Sequence, residues 1–114
     1  MSVKLNTRHV GDVTVIDVSG RITLGEGSSA LRHAVRELMA EGHRKILLNL
    51  GEVSYIDSSG IGELVSGFTT VASQGGTLKL LSLTKRVKDL LQITKLCTVF
   101  DVHEDEAHAI RSFT

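Results

Sequence analysis

The chain lacks proline, internal repeats, low-complexity tracts and linker-like segments, so nothing in its 114 residues divides it into separate units. Domains of about 100–150 residues are the most common, and this length is enough to bury one hydrophobic core. The composition, with 41% hydrophobic and 23% charged residues, is ordinary for a soluble globular protein. We therefore expect a single domain over residues 1–114, with little room for a deep catalytic cleft.

Three further absences narrow the possible functions. Lys and Arg together number 13, as do Asp and Glu, so the chain lacks the basic excess that is typical of nucleic-acid-binding proteins. No apolar run approaches the roughly 18 residues of a membrane-spanning helix, and no apolar segment near Met1 indicates secretion. The expected location is therefore the cytoplasm, without membrane insertion. Cys97 is the single cysteine, which excludes an intramolecular disulfide, and its apolar neighbours predict a buried thiol.

Turn residues and hydrophobic periodicity predict the helices and strands. Two extended segments on either side of Gly11-Asp12 predict an antiparallel hairpin, over residues 3–10 and 13–18. Apolar residues at helical spacing predict helices over residues 31–39, 61–72 and 87–94, with a terminal helix over 104–112. Short apolar runs predict further strands over residues 46–50, 77–81 and 98–102. Ser28 or Ser29 is the expected cap of the first helix, and Gly42 its C-terminal stop.

The order of these elements is ββαβαβαβα, which defines the fold class as α/β. Helical connections after the opening hairpin imply parallel strands, with the helices packed against the sheet. The prediction is therefore a mixed β-sheet, with an antiparallel opening hairpin followed by parallel strands.

The turn Asp57-Ser58-Ser59-Gly60 carries the most functional information. It lies between an extended segment and a helix, at the sheet edge where α/β folds often bind ligands and partners. A purely structural interpretation stays open, because Asp57, Ser58 and Ser59 are all good helix N-caps. Gly60 and Gly62 each cost about 0.5–1 kcal/mol of helix stability, which favours a strained turn or a close approach to the backbone. A helix N-terminus also tolerates a phosphate, because its free N–H groups and dipole favour negative charge.

Residues 55–62 resemble the phosphorylation loop of the STAS-domain anti-sigma factor antagonists of bacteria, which are also called anti-anti-sigma factors. The resemblance covers nearly the whole chain, in order and at compatible spacing. The other matching segments are residues 18–22, 46–50, 75–80, 90–96 and 99–100.

The resemblance implies a regulator of transcription and not an enzyme. In this family the first serine of the Asp-Ser-Ser-Gly turn is phosphorylated by a partner anti-sigma factor that is itself a serine/threonine kinase, which makes Ser58 the phosphorylation site here. A metal-dependent serine phosphatase of the PP2C type reverses the mark. The unphosphorylated antagonist binds the kinase and so releases a sigma factor. The partner-binding residues expected from the match and the adjacent turns are Gly20, Gly25, Glu26, Gly27, Asp57, Ser58, Ser59, Gly60, Ile61 and Gly62.

Two features depart from the common family pattern. Glu63 places a carboxylate near the phosphate site, where the family often has an aliphatic or small residue, and we expect it to weaken phosphorylation or alter partner choice. The glycine-rich segment 24–29 stands where the family often has a more regular beginning of the helix. It is either a second partner contact or a helix cap.

Little in the sequence supports catalysis, a cofactor or a metal. No complete phosphate-binding or dinucleotide motif is present, and no histidine is placed as a base for the serines. His103 and His108 are five residues apart, which predicts different helix faces and no metal site. Two other functions stay open beside the antagonist. One is a STAS interaction subunit of a stressosome-like scaffold or of a transport system, and the other is a sensor of a small molecule or nucleotide.

Overall fold

The helices and strands follow one another in the order that the sequence predicts. The computed structural model describes residues 3–113. Its elements are β1 (Val3–Val10), β2 (Val13–Ile22), α1 (Glu26–Ala40), β3 (Lys45–Ile56), α2 (Ser58–Ser73), β4 (Thr77–Leu81), α3 (Lys85–Ile93), β5 (Val102–His103) and α4 (Glu106–Arg111).

A five-stranded mixed sheet organises the molecule, with the strand order β1-β2-β3-β4-β5. β1 and β2 are antiparallel, and the turn between them places Gly11 at a φ of 62°. That positive φ favours glycine, as expected of a tight hairpin. The other neighbouring pairs are parallel, as their helical connections require. The predicted α/β fold class and the mixed sheet are both confirmed.

Helices cover the two faces of the sheet unequally. The main hydrophobic core joins one face of the strands to α1, α2 and α3, and its central residues include Ile16, Leu48 and Leu64. The opposite face has a smaller cluster in which Val15 and Leu47 pack against Ala109 of α4. The central strand β3 is therefore buried on both faces, which explains why residues 46–50 form a continuous apolar run.

The structure differs in five details from what the sequence predicts. Neither Ser28 nor Ser29 is the cap of α1, because the helix begins at Glu26 with Gly25 in the cap position. Instead, Ser28 is buried inside the first turn, where its hydroxyl donates to the Thr23 carbonyl oxygen at 3.0 Å. The extended segment before the turn at Asp57, residues 53–56, is not separate from the strand over residues 46–50, because both belong to the continuous strand β3.

Two further differences concern the last strand and the cysteine. The predicted strand over residues 98–102 is wrong, since only Val102 and His103 pair with β4. The apolar character of the preceding segment instead reflects Phe100, which packs edge-on against Phe68 in the main core. Cys97 is exposed and not buried, because it lies in the turn before this segment.

The relation between His103 and His108 also differs from the prediction. They do not lie on two faces of one helix, because His103 belongs to β5 and His108 to α4. The chain folds back between these elements and brings the two Nδ1 atoms to 3.3 Å from each other. Asp101 contacts the other ring nitrogen of His103, at 3.1 Å.

Candidate functional site

The predicted site residues converge at the edge of the sheet where β2 and β3 end. Their last residues, Ile22 and Ile56, are register partners, and the Asp57 N–H donates to the Ile22 carbonyl oxygen at 3.3 Å. The loop after β2 and the turn after β3 therefore lie side by side. We call the turn Asp57-Ser58-Ser59-Gly60 the Ser58 turn, and residues 23–25 the Leu24 loop.

Asp57 holds these two segments together through both oxygens of its carboxylate. Oδ1 accepts the Gly60 N–H at 2.9 Å, which caps the N-terminus of α2. Oδ2 accepts the Leu24 N–H at 3.2 Å, which fixes the Leu24 loop beside the turn. Asp57 is therefore the N-cap of α2, and Ser58 and Ser59 do not serve as its cap.

Ser58 occupies the first position of α2, and its side chain is exposed. Within residues 3–113, its hydroxyl makes no hydrogen bond, so the local fold does not depend on this oxygen. The positive end of the α2 dipole and the free N–H groups of the first turn favour negative charge at this position. A phosphate on this hydroxyl is thus compatible with the helix and would project from the surface.

Gly60 is required by the packing of the fold itself. A Cβ at this position would lie 2.3 Å from the Ile22 carbonyl oxygen and 2.5 Å from Cγ1 of Ile56. Gly27 has the same role in α1, where a Cβ would lie 2.6 Å from the Arg21 carbonyl oxygen. The close approach to the backbone that the sequence predicts for Gly60 and Gly62 therefore occurs at Gly60, within the chain, but not at Gly62, where a Cβ would lie in open space.

The predicted partner-binding residues differ in their access to solvent. Ser58, Gly62, Gly25 and Glu26 are exposed, and Asp57, Ser59 and Gly20 are partly exposed. The buried ones are Gly27, Gly60 and Ile61. These three residues can determine the shape of the surface, but they are not accessible for direct contact with a docked partner.

The carboxylate of Glu63 is bound within the molecule. Both of its oxygens accept from Arg32 of α1, at 3.1 and 2.9 Å, and Glu63 is only 8% exposed. The same hydrogen bonds raise the pKa of Arg32 above its usual range. This ion pair links α1 to α2 and neutralises the Glu63 charge that was expected to act near the phosphate site.

Three residues at this edge, Arg21, Tyr55 and Arg86, were not predicted as site residues, and Leu24 was included only as part of the glycine-rich segment 24–29. Leu24 is 79% exposed although it is large and apolar, and its backbone is tied to Asp57. Tyr55 lies beneath the guanidinium groups of Arg21 and Arg86. A large apolar residue directly before a glycine was a usable signal for Leu24. The other three come from separate segments, and no local pattern joins them.

Comparison with known proteins agrees with this architecture. The STAS domain family model matches residues 4–109. The anti-sigma-B factor antagonist of Bacillus subtilis (strain 168) is 30% identical over 102 residues, which cover 90% of this chain and 92% of that protein. The chain therefore belongs to the STAS domain family, and the resemblance stated from its sequence is confirmed.

Solved structures show the same fold. The crystal structure of an anti-sigma factor antagonist from Mycobacterium paratuberculosis superposes with a TM-score of 0.86 at 18% identity, over 97% of this chain and 93% of that one. The Bacillus cell fate determinant SpoIIAA in its phosphorylated form gives a TM-score of 0.76 at 19% identity, over 97% of this chain and all 100% of that one. Within residues 3–113, no helix combines the length and apolarity needed to cross a membrane.

Proposed function

We propose that this protein is a cytoplasmic anti-sigma factor antagonist and that phosphorylation of Ser58 switches it off. It acts by binding and not by catalysis. The unphosphorylated protein binds an anti-sigma factor that is a serine/threonine kinase, and so releases a sigma factor. A PP2C-type phosphatase restores the active form.

The observation that carries the proposal is the exposed hydroxyl of Ser58 on a turn whose structure other groups maintain. Asp57 caps α2 and holds the Leu24 loop, so the Ser58 hydroxyl is available for modification. Relatives named as anti-sigma factor antagonists support the function, and the solved phosphorylated form of SpoIIAA supports phosphate regulation on this fold.

The effect of the phosphate follows from electrostatics at a docked surface. Phosphorylation adds about −1.5 to −2 charges to an exposed position without removing any hydrogen bond of the fold. When the Ser58 turn docks, an unpaired phosphate loses its hydration and costs about 2–4 kcal/mol. That cost corresponds to a roughly 30- to 1000-fold weaker complex.

Mass spectrometry of the protein from its native cells, in growth and under stress, tests the modification. We expect one phosphate, on Ser58, with an occupancy that changes with the condition. A phosphate on Ser59 would support a phosphorylation switch but would show that Ser58 is not the modified residue. No phosphate in any condition would reject the switch and favour a STAS interaction subunit of a scaffold or transport system.

Calorimetric titration against the anti-sigma factor kinases of the same cells tests the mechanism. We expect Ser58→Ala to bind like the unphosphorylated protein and Ser58→Asp to bind poorly. Ser59→Asp is the matched control, because it adds the same charge one residue away. Equal affinities of the Ser58→Ala and Ser58→Asp variants for the kinase would contradict the electrostatic mechanism.

A further inference from the structure

Two guanidinium groups lie over one tyrosine ring beside the Ser58 turn. Cζ of Arg21 is 4.6 Å from the centroid of the Tyr55 ring, and Cζ of Arg86 is 4.4 Å from it. The two carbons are therefore within about 9 Å of each other. Both arginines are exposed, and Tyr55 is partly buried. We call these three residues the arginine–tyrosine cluster.

Strand register places this cluster next to the Ser58 turn. Arg21 and Tyr55 are register partners, each one residue before the end of its strand. The following pair, Ile22 and Ile56, points into the main core, so the side chains of Arg21 and Tyr55 point away from that core at the end of the sheet. Arg86 belongs to the first turn of α3 and reaches the same ring.

The two positive charges have no partner within the part of the chain that the structure describes. Neither Arg21 nor Arg86 has a carboxylate within ion-pair distance among residues 3–113. By contrast, Nε of Arg8 lies 2.7 Å from Oδ2 of Asp17, and Nη2 of Arg32 lies 2.9 Å from Oε2 of Glu63. Two like charges kept close together on one ring, without a counter-charge, form a surface that attracts an anion.

We infer that the arginine–tyrosine cluster binds an acidic segment of the protein partner that docks on the Ser58 turn. The inference rests on the proposed function, because that partner is the kinase. The cluster is continuous with the Ser58 turn through the paired ends of β2 and β3. Arginine and tyrosine are also enriched among residues that dominate binding at protein interfaces. Stacking on the ring restrains the guanidiniums before the partner arrives, which lowers the entropic cost of binding.

The geometry favours a peptide over a nucleotide. A separation of up to about 9 Å matches two carboxylates on one segment, since alternate residues of a strand are about 7 Å apart and residues four apart in a helix about 6 Å. A nucleotide base would need the Tyr55 ring for stacking, and guanidiniums already lie over that ring. An acidic segment at this place also strengthens the switch, because it repels a phosphate on Ser58.

An NMR titration with a hexaglutamate peptide tests the cluster without any kinase. We expect shifts of the Arg21 and Arg86 side-chain N–H signals and of the Tyr55 ring, at low salt, which vanish in the Arg21→Gln/Arg86→Gln double variant. Arg36→Gln is the matched control, because it removes one charge from another exposed arginine. Shifts elsewhere, shifts that survive the double variant, or a response to ATP but not to hexaglutamate would overturn the inference.

Association kinetics with the kinase test the role in docking. We expect each single arginine variant to slow association about 2- to 5-fold and to reduce its dependence on salt, whereas Arg36→Gln changes neither. If the kinase binds the wild type and both arginine variants equally, the inference fails while the proposed function stands. If no kinase binds the wild type, the proposed function fails, and the hexaglutamate titration alone decides whether the cluster binds acidic peptides.

Discussion

Replacing Asp57 by asparagine separates the two hydrogen bonds that its carboxylate accepts. Asparagine has one acceptor oxygen, and it is as good an N-cap as aspartate, so the bond from Gly60 N–H is retained. The amide nitrogen then faces the Leu24 N–H, and two donors cannot bond to each other. Asp57→Asn should therefore release the Leu24 loop while leaving α2 capped.

The expected loss follows from the number of bonds removed. One hydrogen bond to a charged group near the surface is worth about 1 kcal/mol, which we expect for Asp57→Asn. Asp57→Ala removes the helix cap as well, worth about another 1 kcal/mol, so the total loss is about 2 kcal/mol. For a chain of 114 residues, each kcal/mol corresponds to roughly 4 °C in the melting temperature.

Urea unfolding of both variants measures these free energies, and amide hydrogen exchange locates the change. We expect faster exchange at the Leu24 amide in Asp57→Asn, with the Gly60 amide still protected. Asp105→Asn is the matched control, because Asp105 caps α4 with one oxygen that accepts the His108 N–H at 2.9 Å. Asparagine keeps that bond, so the control reports only the loss of a charge at a helix N-terminus.

A specific result would refute this reasoning. If Asp57→Asn is no less stable than Asp105→Asn, and the Leu24 amide exchanges at the wild-type rate, then the second oxygen of Asp57 does not hold the loop. The Ser58 turn and the Leu24 loop would then be independent elements that only lie close together.

Three further perturbations test other parts of the structure. Gly60→Ala should lose about 3 kcal/mol in urea unfolding, because its Cβ meets backbone. Gly62→Ala, in open space on the same helix, should gain about 0.5–1 kcal/mol, and equal effects of the two would contradict the packing argument. Arg8 binds Glu106 at 2.6 Å as well as Asp17, and its guanidinium lowers the pKa of both carboxylates. Arg8→Gln should therefore cost about 1 kcal/mol at pH 7, and this difference in stability should disappear as the pH falls through the lowered pKa values of the two carboxylates, below the usual range of a carboxyl group. A difference in unfolding free energy that stays constant with pH would show that protonation of these carboxylates is not coupled to Arg8. Cys97 should react with a thiol reagent in the native protein, whereas a reaction only after unfolding would show that it is buried.

Elements that local signals delimit could be predicted from the sequence. The strand Thr77–Leu81 was predicted with its observed bounds, since glycines precede it and its apolar run is short. Gly42 ends α1 with a φ of 94°, which glycine adopts without strain. The hairpin was predicted from Gly11-Asp12 between two extended segments. In each case the information lies within a few residues of the element.

Features that depend on tertiary pairing could not be predicted. An apolar run such as residues 98–102 suits a strand, but whether it pairs depends on the free edge of β4, which reaches only Val102 and His103. The cluster of Arg21, Tyr55 and Arg86 likewise needs the register of β2 against β3 and the position of α3. The sequence therefore identified the Ser58 turn, whereas its surroundings required the structure.

The strand order has a consequence for how the chain folds. Every strand pairs with the next strand along the chain, so no strand must insert between two that are already paired. During synthesis the sheet can grow outward by one strand at a time, from the hairpin towards β5. The vulnerable stage comes after β3 has joined, because this strand is apolar on both faces and its free edge stays open until residues 77–81 emerge. We expect a ribosome-bound chain that is stalled at this stage to be the most prone to aggregation.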